Sequence, residues 1–276
     1  MSRSLVAFVA LVLIMAAAVS MVVSPTSRQG SSRGVIGIPD DTGGLIVHHL
    51  LQQQGLPFEA NVAPFEAYAV KDCCASMAQW ALSGSLLDLA VICPDAAERL
   101  LQKDSRFRIV GPFLFNSEVL VLRPGSEPKR LGIAQRRNRL FELLRPLCSA
   151  GCAPQPMLPA SLPYAYERGM VDGIVVDFLK GSALAGERIP LAGRAGDQAT
   201  YVLVVRKEWE SSDRYRQFQE LLGQAVTDLE RPEVLIEAVA AFNGMSWTSR
   251  ETDEWKRLKI RFAAPKETGN WGGRIW

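Results

Sequence analysis

The residues best placed for chemistry sit where apolar runs give way to turns. Gly34-Val-Ile-Gly-Ile-Pro39 is followed by Asp40-Asp41-Thr42-Gly43-Gly44. Free amides at the start of a helix attract negative charge, and glycines let backbone approach a bound group closely. Asp40, Asp41, Thr42 and Gly43 are therefore candidate binding residues, with the alternative that Asp41 or Thr42 only caps the helix. Asp72-Cys73-Cys74-Ala75-Ser76 repeats the pattern with two thiols. A helix N-terminus favours thiolate, which makes Cys73 and Cys74 candidates, against the alternative of two small packed side chains. Cys93-Pro94-Asp95 closes a third apolar run, where Asp95 is either an N-cap or a contact residue. Gln135 and Arg136 follow a fourth run and Asp177 a fifth. A carboxylate at Asp177 can pair with an amine or cap the helix that follows.

Other chemistry is poorly supplied. The chain has no nucleophile elbow, no Walker loop and no His-Glu metal motif. His48 and His49 are the two histidines, and helical neighbours point ~100° apart, so they do not share a site. No Cys or His spacing fits zinc. The expectation is a chain without catalytic residues, metal or cofactor. Of the five cysteines, Cys148 and Cys152 flank a Ser-Ala-Gly turn where a bridge is feasible, and the odd count leaves at least one thiol free.

The elements that must position these residues alternate. Strands are expected at residues 34–39, 58–62 and 87–93, with helices at 45–54, 73–83 and 96–102. Asp72 is placed at the second helix start and Pro94 near the third. Strand–helix alternation of this kind builds a parallel sheet covered on both faces. Strands then follow at 108–113, 118–123 and 130–135, a helix at 136–147, strands at 155–158 and 171–177 around a short helix at 161–168, and a strand at 201–206. Helices at 213–229, 232–242 and 249–258 complete the body. Glu118-Val-Leu-Val-Leu-Arg123 and Tyr201-Val-Leu-Val-Val-Arg206 are near copies. They border the middle unit and read as strands carrying the chain into a second lobe and back. No other internal repeat or low-complexity block is visible.

The chain has 276 residues, 48% hydrophobic and 22% charged, an ordinary globular composition. A net charge of +2, with one basic cluster at Gln135-Arg136-Arg137-Asn138-Arg139, argues against nucleic acid as a partner. After Arg3, residues 5–23 carry no charge. At ~1.5 Å per residue, this run of ~19 residues reaches across the hydrocarbon thickness of a bilayer. It is either an uncleaved anchor or a signal peptide cut after Ala18-Val19-Ser20. Both readings put the body outside the cytoplasmic membrane, with Arg3 inside. No cysteine lies near the cut, so a lipid anchor is not expected.

The order of these elements, the bordering strands and the exported N-terminus resemble the type II periplasmic binding proteins of ABC importers, most of all the sulfonate, nitrate and thiamine-precursor binders. The motifs carrying the resemblance are Gly34-Val-Ile-Gly-Ile-Pro39 with its turn and helix, Trp80-Ala-Leu-Ser-Gly-Ser-Leu-Leu-Asp88-Leu-Ala-Val, and Ala165-Tyr-Glu-Arg-Gly169-Met-Val-Asp172-Gly. The resemblance implies an α/β two-lobed fold, each lobe a mostly parallel sheet flanked by helices, with two crossing hinge strands. The expected organisation is a signal peptide or anchor at 1–24, a linker at 25–33, lobe I at 34–116, lobe II with the hinge strands at 117–206, and a return to lobe I at 207–276. It further implies that Asn116 and Ser117, at the hinge, hydrogen-bond a ligand. The implied function is capture of a small-molecule solute between the lobes and delivery to an ABC permease and its ATPase, with the membrane met through the N-terminal segment. Alternatives are an enzyme of the same fold, of the menaquinone- or thiamine-precursor type, or a membrane-tethered sensor, which would call for an output module beyond Trp276. The thiols at Cys73, Cys74 and Cys93 depart from the pattern and leave the ligand class open. Asp40, Asp41, Asp95, Glu118 and Asp177 against Arg136 and Arg137 favour a neutral or amine-bearing solute over sulfate or nitrate.

Overall fold

The structure, a computed structural model, describes residues 34–53, 65–70, 84, 86–125, 127–147, 151–191 and 196–265. The expected strand at 58–62, the helix at 73–83 with Cys73 and Cys74, and the N-terminal segment lie outside them. Two sheets organise the described chain. In the first, β1 (Gly34–Ile38) pairs in parallel with β2 (Phe65–Ala69) and β3 (Leu89–Ile92). β10 (Ala199–Arg206) runs antiparallel between β3 and β4 (Phe107–Phe115), and β11 (Arg261–Phe262) closes the edge beside β4. In the second, β6 (Arg130–Ala134) pairs in parallel with β7 (Ala153–Met157) and β8 (Gly173–Asp177). β5 (Glu118–Leu122) runs antiparallel between β8 and β9 (Glu187–Pro190).

One plan is used twice. Each sheet has a parallel trio, then one antiparallel strand, then two strands beyond it in the first sheet and one in the second. The antiparallel strand is in each case the one that has just arrived from the other sheet. These two strands, β5 and β10, carry the duplicated Val-Leu-Val. Both are interior strands, and Val202, Leu203, Val204 and Val205 are fully buried, which is why they read as unbroken apolar runs. The two expected hinge strands therefore each lie wholly in one sheet. The crossing is made by Asn116–Ser117 on the way out and by the residues before Ala199 on the way back. The strand at 199–206 pairs within the first sheet.

The crossings are tied together by Asn116. Its φ of 60° lies in the left-handed region, which Asn tolerates better than most residues. Its Nδ2 donates to Asp197 Oδ1 and to the Lys259 carbonyl, both at 2.9 Å, and its Oδ1 accepts from Gln198 N at 2.8 Å. At the far edge of the two sheets a second duplicated device appears. Asp88 accepts from Val35 N at 2.9 Å at the start of β1; Asp172 accepts from Arg130 N at 2.8 Å at the start of β6. Arg206 N donates to the Asp88 carbonyl at 2.8 Å and Arg123 N to the Asp172 carbonyl at 3.2 Å.

Helices flank the sheets. α1 (Thr42–Gln53) starts three residues earlier than expected, so Gly43 and Gly44 belong to its first turn and not to a loop. Close packing explains those glycines: a Cβ on Gly44 would lie 2.0 Å from the Pro39 carbonyl oxygen. α2 (Pro94–Lys103) is capped by Cys93 with Pro94 in its first turn, so Asp95 is not its N-cap. α3 (Asn138–Leu144) is shorter than the expected 136–147, because Arg136 sits at φ 63° and the last residues form a 3₁₀ turn. α4 (Leu162–Glu167) and α5 (Phe178–Ser182) complete the second lobe. The body ends with α6 (Lys207–Glu210), α7 (Asp213–Leu229), α8 (Pro232–Asn243) and α9 (Ser249–Arg257). α8 stops at Gly244, φ 75°, the usual left-handed helix stop, and α9 starts with a Thr248/Glu251 capping box. β9 was not anticipated; Glu-Arg-Ile-Pro is short and half polar, as an edge strand allows. Cys93 is buried. Cys152 is disulfide-bonded through a partner outside the described residues. Among the described residues no helix is long and apolar enough to cross a membrane.

Candidate functional site

The carboxyl ends of β1 and β8 face each other across the cleft, and the helices that follow them meet there. Asp41 Oδ1 accepts from Gly43 N at 3.1 Å, capping α1, while its Oδ2 accepts from the Tyr201 hydroxyl at 2.5 Å. Asp177 reaches over from the second sheet. Its Oδ1 accepts from Thr42 Oγ1 at 2.6 Å, Thr42 N at 3.0 Å and Leu179 N at 3.1 Å. Asp177 thus caps its own helix α5 and also occupies the N-terminus of α1 in the other lobe. Of the two alternatives raised by its sequence position, the cap is present.

Charge is arranged in shells around this pair. Lys180 Nζ bonds Asp40 Oδ1 across the cleft at 3.0 Å. Arg137, nearly buried, places Nη2 2.6 Å from Glu118 Oε2 and Nε 3.5 Å from Asp95 Oδ2. Asp95 is thereby a buried ion-pair partner of the second lobe. Asp41 is pushed up to about 8, first by burial and then by Asp177. Burial raises Asp177 as well, against the pull of the Thr42 and Ser117 groups that favour its ionised form. Burial works to lower Lys180, but Asp41 and Asp40 more than offset it and hold it up. Ser117 Oγ and Asp177 Oδ2 are both buried and have only each other as a near side-chain partner, an incomplete set for a buried carboxyl group.

A cavity of about 60 Å³ opens between these groups. Asp40, Asp41, Glu118, Arg137, Asp177, Lys180 and Tyr201 supply its polar wall, and Ala134, Pro159, Leu162, Val175 and Val176 its apolar one. Both lobes contribute. Ligand pockets usually measure ~300 Å³ or more, so the cleft is nearly shut. Two larger hollows, of about 180 and 420 Å³, share no residue with it.

Of the expected site residues, Asp40, Asp41 and Asp177 line this cavity, and Thr42, Gly43 and Ser117 hydrogen-bond or adjoin those that do. Asp95 touches it only through Arg137. Asn116 spends its side chain on the crossing, and Gln135 is not among the lining residues. Lys180 and Tyr201 were missed. Lys180 sits one helical turn after Asp177, a spacing the sequence displays; Tyr201 arrives from a strand distant in sequence and left no local sign. The histidines serve packing: His48 meets Phe242 edge-on at 5.3 Å and His49 bonds Gln53 at 3.0 Å. Among the described residues no group of His, Cys, Asp and Glu is arranged to hold a metal.

Two sheets joined by two crossings, with a cleft at their strand ends, define the two-lobed periplasmic-binding-protein fold. Solved structures of that fold superpose on most of the chain. A ligand-binding component of an ABC-type import system from Staphylococcus aureus, with zinc bound, aligns over 86% of this chain and 87% of its own at 15% identity and TM-score 0.65. The alkanesulfonate-binding protein SsuA from Xanthomonas axonopodis pv. citri, bound to MOPS, aligns over 86% and 96% at 17% identity and TM-score 0.57. A Candida albicans gene product with the generic periplasmic-binding-protein fold aligns over 84% and 82% at 14% identity and TM-score 0.56. No family model and no curated protein matches the sequence.

Proposed function

We propose that the chain is an extracytoplasmic solute-binding protein, which captures a small molecule between its lobes and delivers it to an ABC permease driven by its ATPase. One observation carries the reading: a cavity at the carboxyl ends of the strands is walled by charged side chains from both lobes, the place where open α/β sheets bind ligands. Importer components among the solved neighbours support it. Residues 5–23 would hold the protein at the outer face of the membrane if uncut, or direct its export if cut; mass spectrometry of the mature N-terminus distinguishes the two. Hinge motion about Asn116 and the residues before Ala199 would open the cleft. The reading requires ligand-induced thermal stabilisation without consumption of the ligand. If no small molecule stabilises the chain, it fails.

A second reading, an enzyme of the same fold, draws on one feature. A carboxyl group held near pH 8, as Asp41 is, has the acid–base range that catalysis uses. Turnover of a bound ligand, lost in Asp41→Asn, would decide for it.

A further inference from the structure

The buried pair at the cleft has no cation bonded to it: Lys180, whose charge acts on both carboxyl groups, spends its hydrogen bond on Asp40. Four carboxylates line the cavity, Asp40, Asp41, Glu118 and Asp177, against two cations, Arg137 and Lys180. Both cations are directly engaged elsewhere, Lys180 with Asp40 and Arg137 with Glu118 and Asp95. Asp41 and Asp177 receive hydroxyls and backbone amides instead. Among the described residues no Lys, Arg or His forms an ion pair with either. Two carboxyl groups, 7% and 8% exposed, cannot both ionise there without help, since buried charge is costly unless paired.

Three further observations say what would complete the site. Asp177 Oδ2 is buried with no nearby donor but the Ser117 hydroxyl, and a carboxylate oxygen has room for a second donor. The α1 N-terminus, which would otherwise receive an anion, is already filled by Asp177. The 60 Å³ of free space holds a few water molecules, enough for one compact polar head.

We propose, taking solute capture as given, that the cleft selects a solute bearing a compact positive head, a primary ammonium or guanidinium group, which seats against Asp41 and Asp177 and expels a proton from that pair on binding. The exchange balances: Asp41–COOH plus R–NH3+ becomes the Asp41 carboxylate paired with R–NH3+, and the proton passes to solvent. The charged and titratable groups facing the pair are Asp40 after β1, Glu118 on β5, Arg137 before α3, Lys180 on α5 and Tyr201 on β10. All but Tyr201 are held in cross-cleft or neighbouring ion pairs, so the pair itself is the group that answers to the incoming charge. Oxyanions are disfavoured, because they would have to displace Asp177 and sit among carboxylates.

The test uses the purified full-length chain and a panel of primary amines, from ethylammonium to 1,4-diaminobutane, plus guanidinium, each beside its alcohol and sulfonate counterparts. Thermal shift finds the binders and calorimetry follows them. An amine is expected to bind at least about tenfold tighter at about pH 8 than at about pH 6, the consequence of one linked proton. Calorimetry at about pH 7 in buffers of different ionisation enthalpy should show release of up to about one proton. Asp41→Asn and Asp177→Asn keep good helix caps, so they should fold, and each should abolish the proton release and weaken amine binding at least about thirtyfold. Amines that bind no tighter than their alcohols, or bind equally well in both variants, overturn the inference. Binding of sulfonates without amines overturns it while solute capture stands; stabilisation by no compound of any class removes both.

Discussion

Asp41 and Thr42 show how one turn of helix can join two lobes. Asp41 caps α1, and Thr42 in the next position gives both its hydroxyl and its amide to Asp177 of the other sheet. Replacing Thr42 by Val keeps the shape but removes the 2.6 Å hydroxyl bond to a buried carboxylate, and should cost ~1–3 kcal/mol in chemical denaturation. The proton on Asp41 has a sign that can be checked. Its folded value of about 8 lies above the ordinary 3.8, so the folded chain holds a proton that the unfolded chain has lost. Its contribution to stability is therefore whole below about 4 and lost as pH rises through about 8, at up to ~1.4 kcal/mol per pH unit. Asp172, Asp197 and Glu251 are held below their ordinary values and act oppositely at the acid end. In the window from about pH 7 to about pH 8, above the range where His48 and His49, held below their ordinary value by burial, act oppositely, the melting temperature should fall as pH rises, and Asp41→Asn should flatten that slope. A melting temperature constant across that window in the unsubstituted chain would rule out a proton held on Asp41.

The strands explain why two short motifs, far apart in sequence, look alike. Asp88 and Asp172 each accept from the backbone at the start of the leading strand of their own sheet, and each follows a turn closing the preceding segment. The arginines that end β10 and follow β5 return to the same two aspartates through their backbone amides. The surroundings differ. Arg206, with its side chain 9% exposed, lies 3.8 Å from Asp88 and also donates to the Leu87 carbonyl at 2.9 Å, whereas Arg130 beside Asp172 is 47% exposed. Asp88→Ala removes the carboxylate beside a buried guanidinium and leaves the Val35 amide without its side-chain acceptor, and should cost ~2–4 kcal/mol. Asp172→Ala, in wetter surroundings, should cost ~1–2 kcal/mol. Urea denaturation of the two variants would reverse this account if Asp172→Ala proved the more damaging.

Across the molecule, the crossing is braced by the C-terminal segment. Phe178 is fully buried, and its amide donates to the Ser117 carbonyl at 2.7 Å. Its ring meets Trp247 edge-on at 5.5 Å and Trp255 at 5.8 Å. Asn116 bonds the Lys259 carbonyl close by. This cluster is placed to act as the pivot, while Lys180–Asp40 and Asp177–Thr42 are the contacts that opening would break. Phe178→Ala should destabilise the fold by ~3–5 kcal/mol and red-shift the tryptophan emission as Trp247 and Trp255 lose their packing partner. Unchanged emission would mean that the indoles do not depend on this contact.

The alternation of apolar runs with capped helices was readable along the chain, because periodicity and turn chemistry are local. So were the second lobe's elements and the likeness of β5 to β10, since both strands are buried on two faces and must be apolar throughout. The place of Asp40, Asp41 and Asp177 between a strand end and a helix start was also readable, because such junctions mark themselves. Pairing was not readable. That each antiparallel strand sits in the sheet it has just entered, that Asp177 fills the N-terminus of α1, and that Tyr201 and Lys180 complete the cleft are facts about segments far apart along the chain. Only packing brings them together. Asn116 shows the same limit: a polar residue at a hinge reads as a contact for a ligand, yet its hydrogen bonds go to three backbone and side-chain partners of the crossing itself. The protonation of Asp41 depends on burial beside a second carboxyl group, a neighbourhood created by folding and absent from the order of residues.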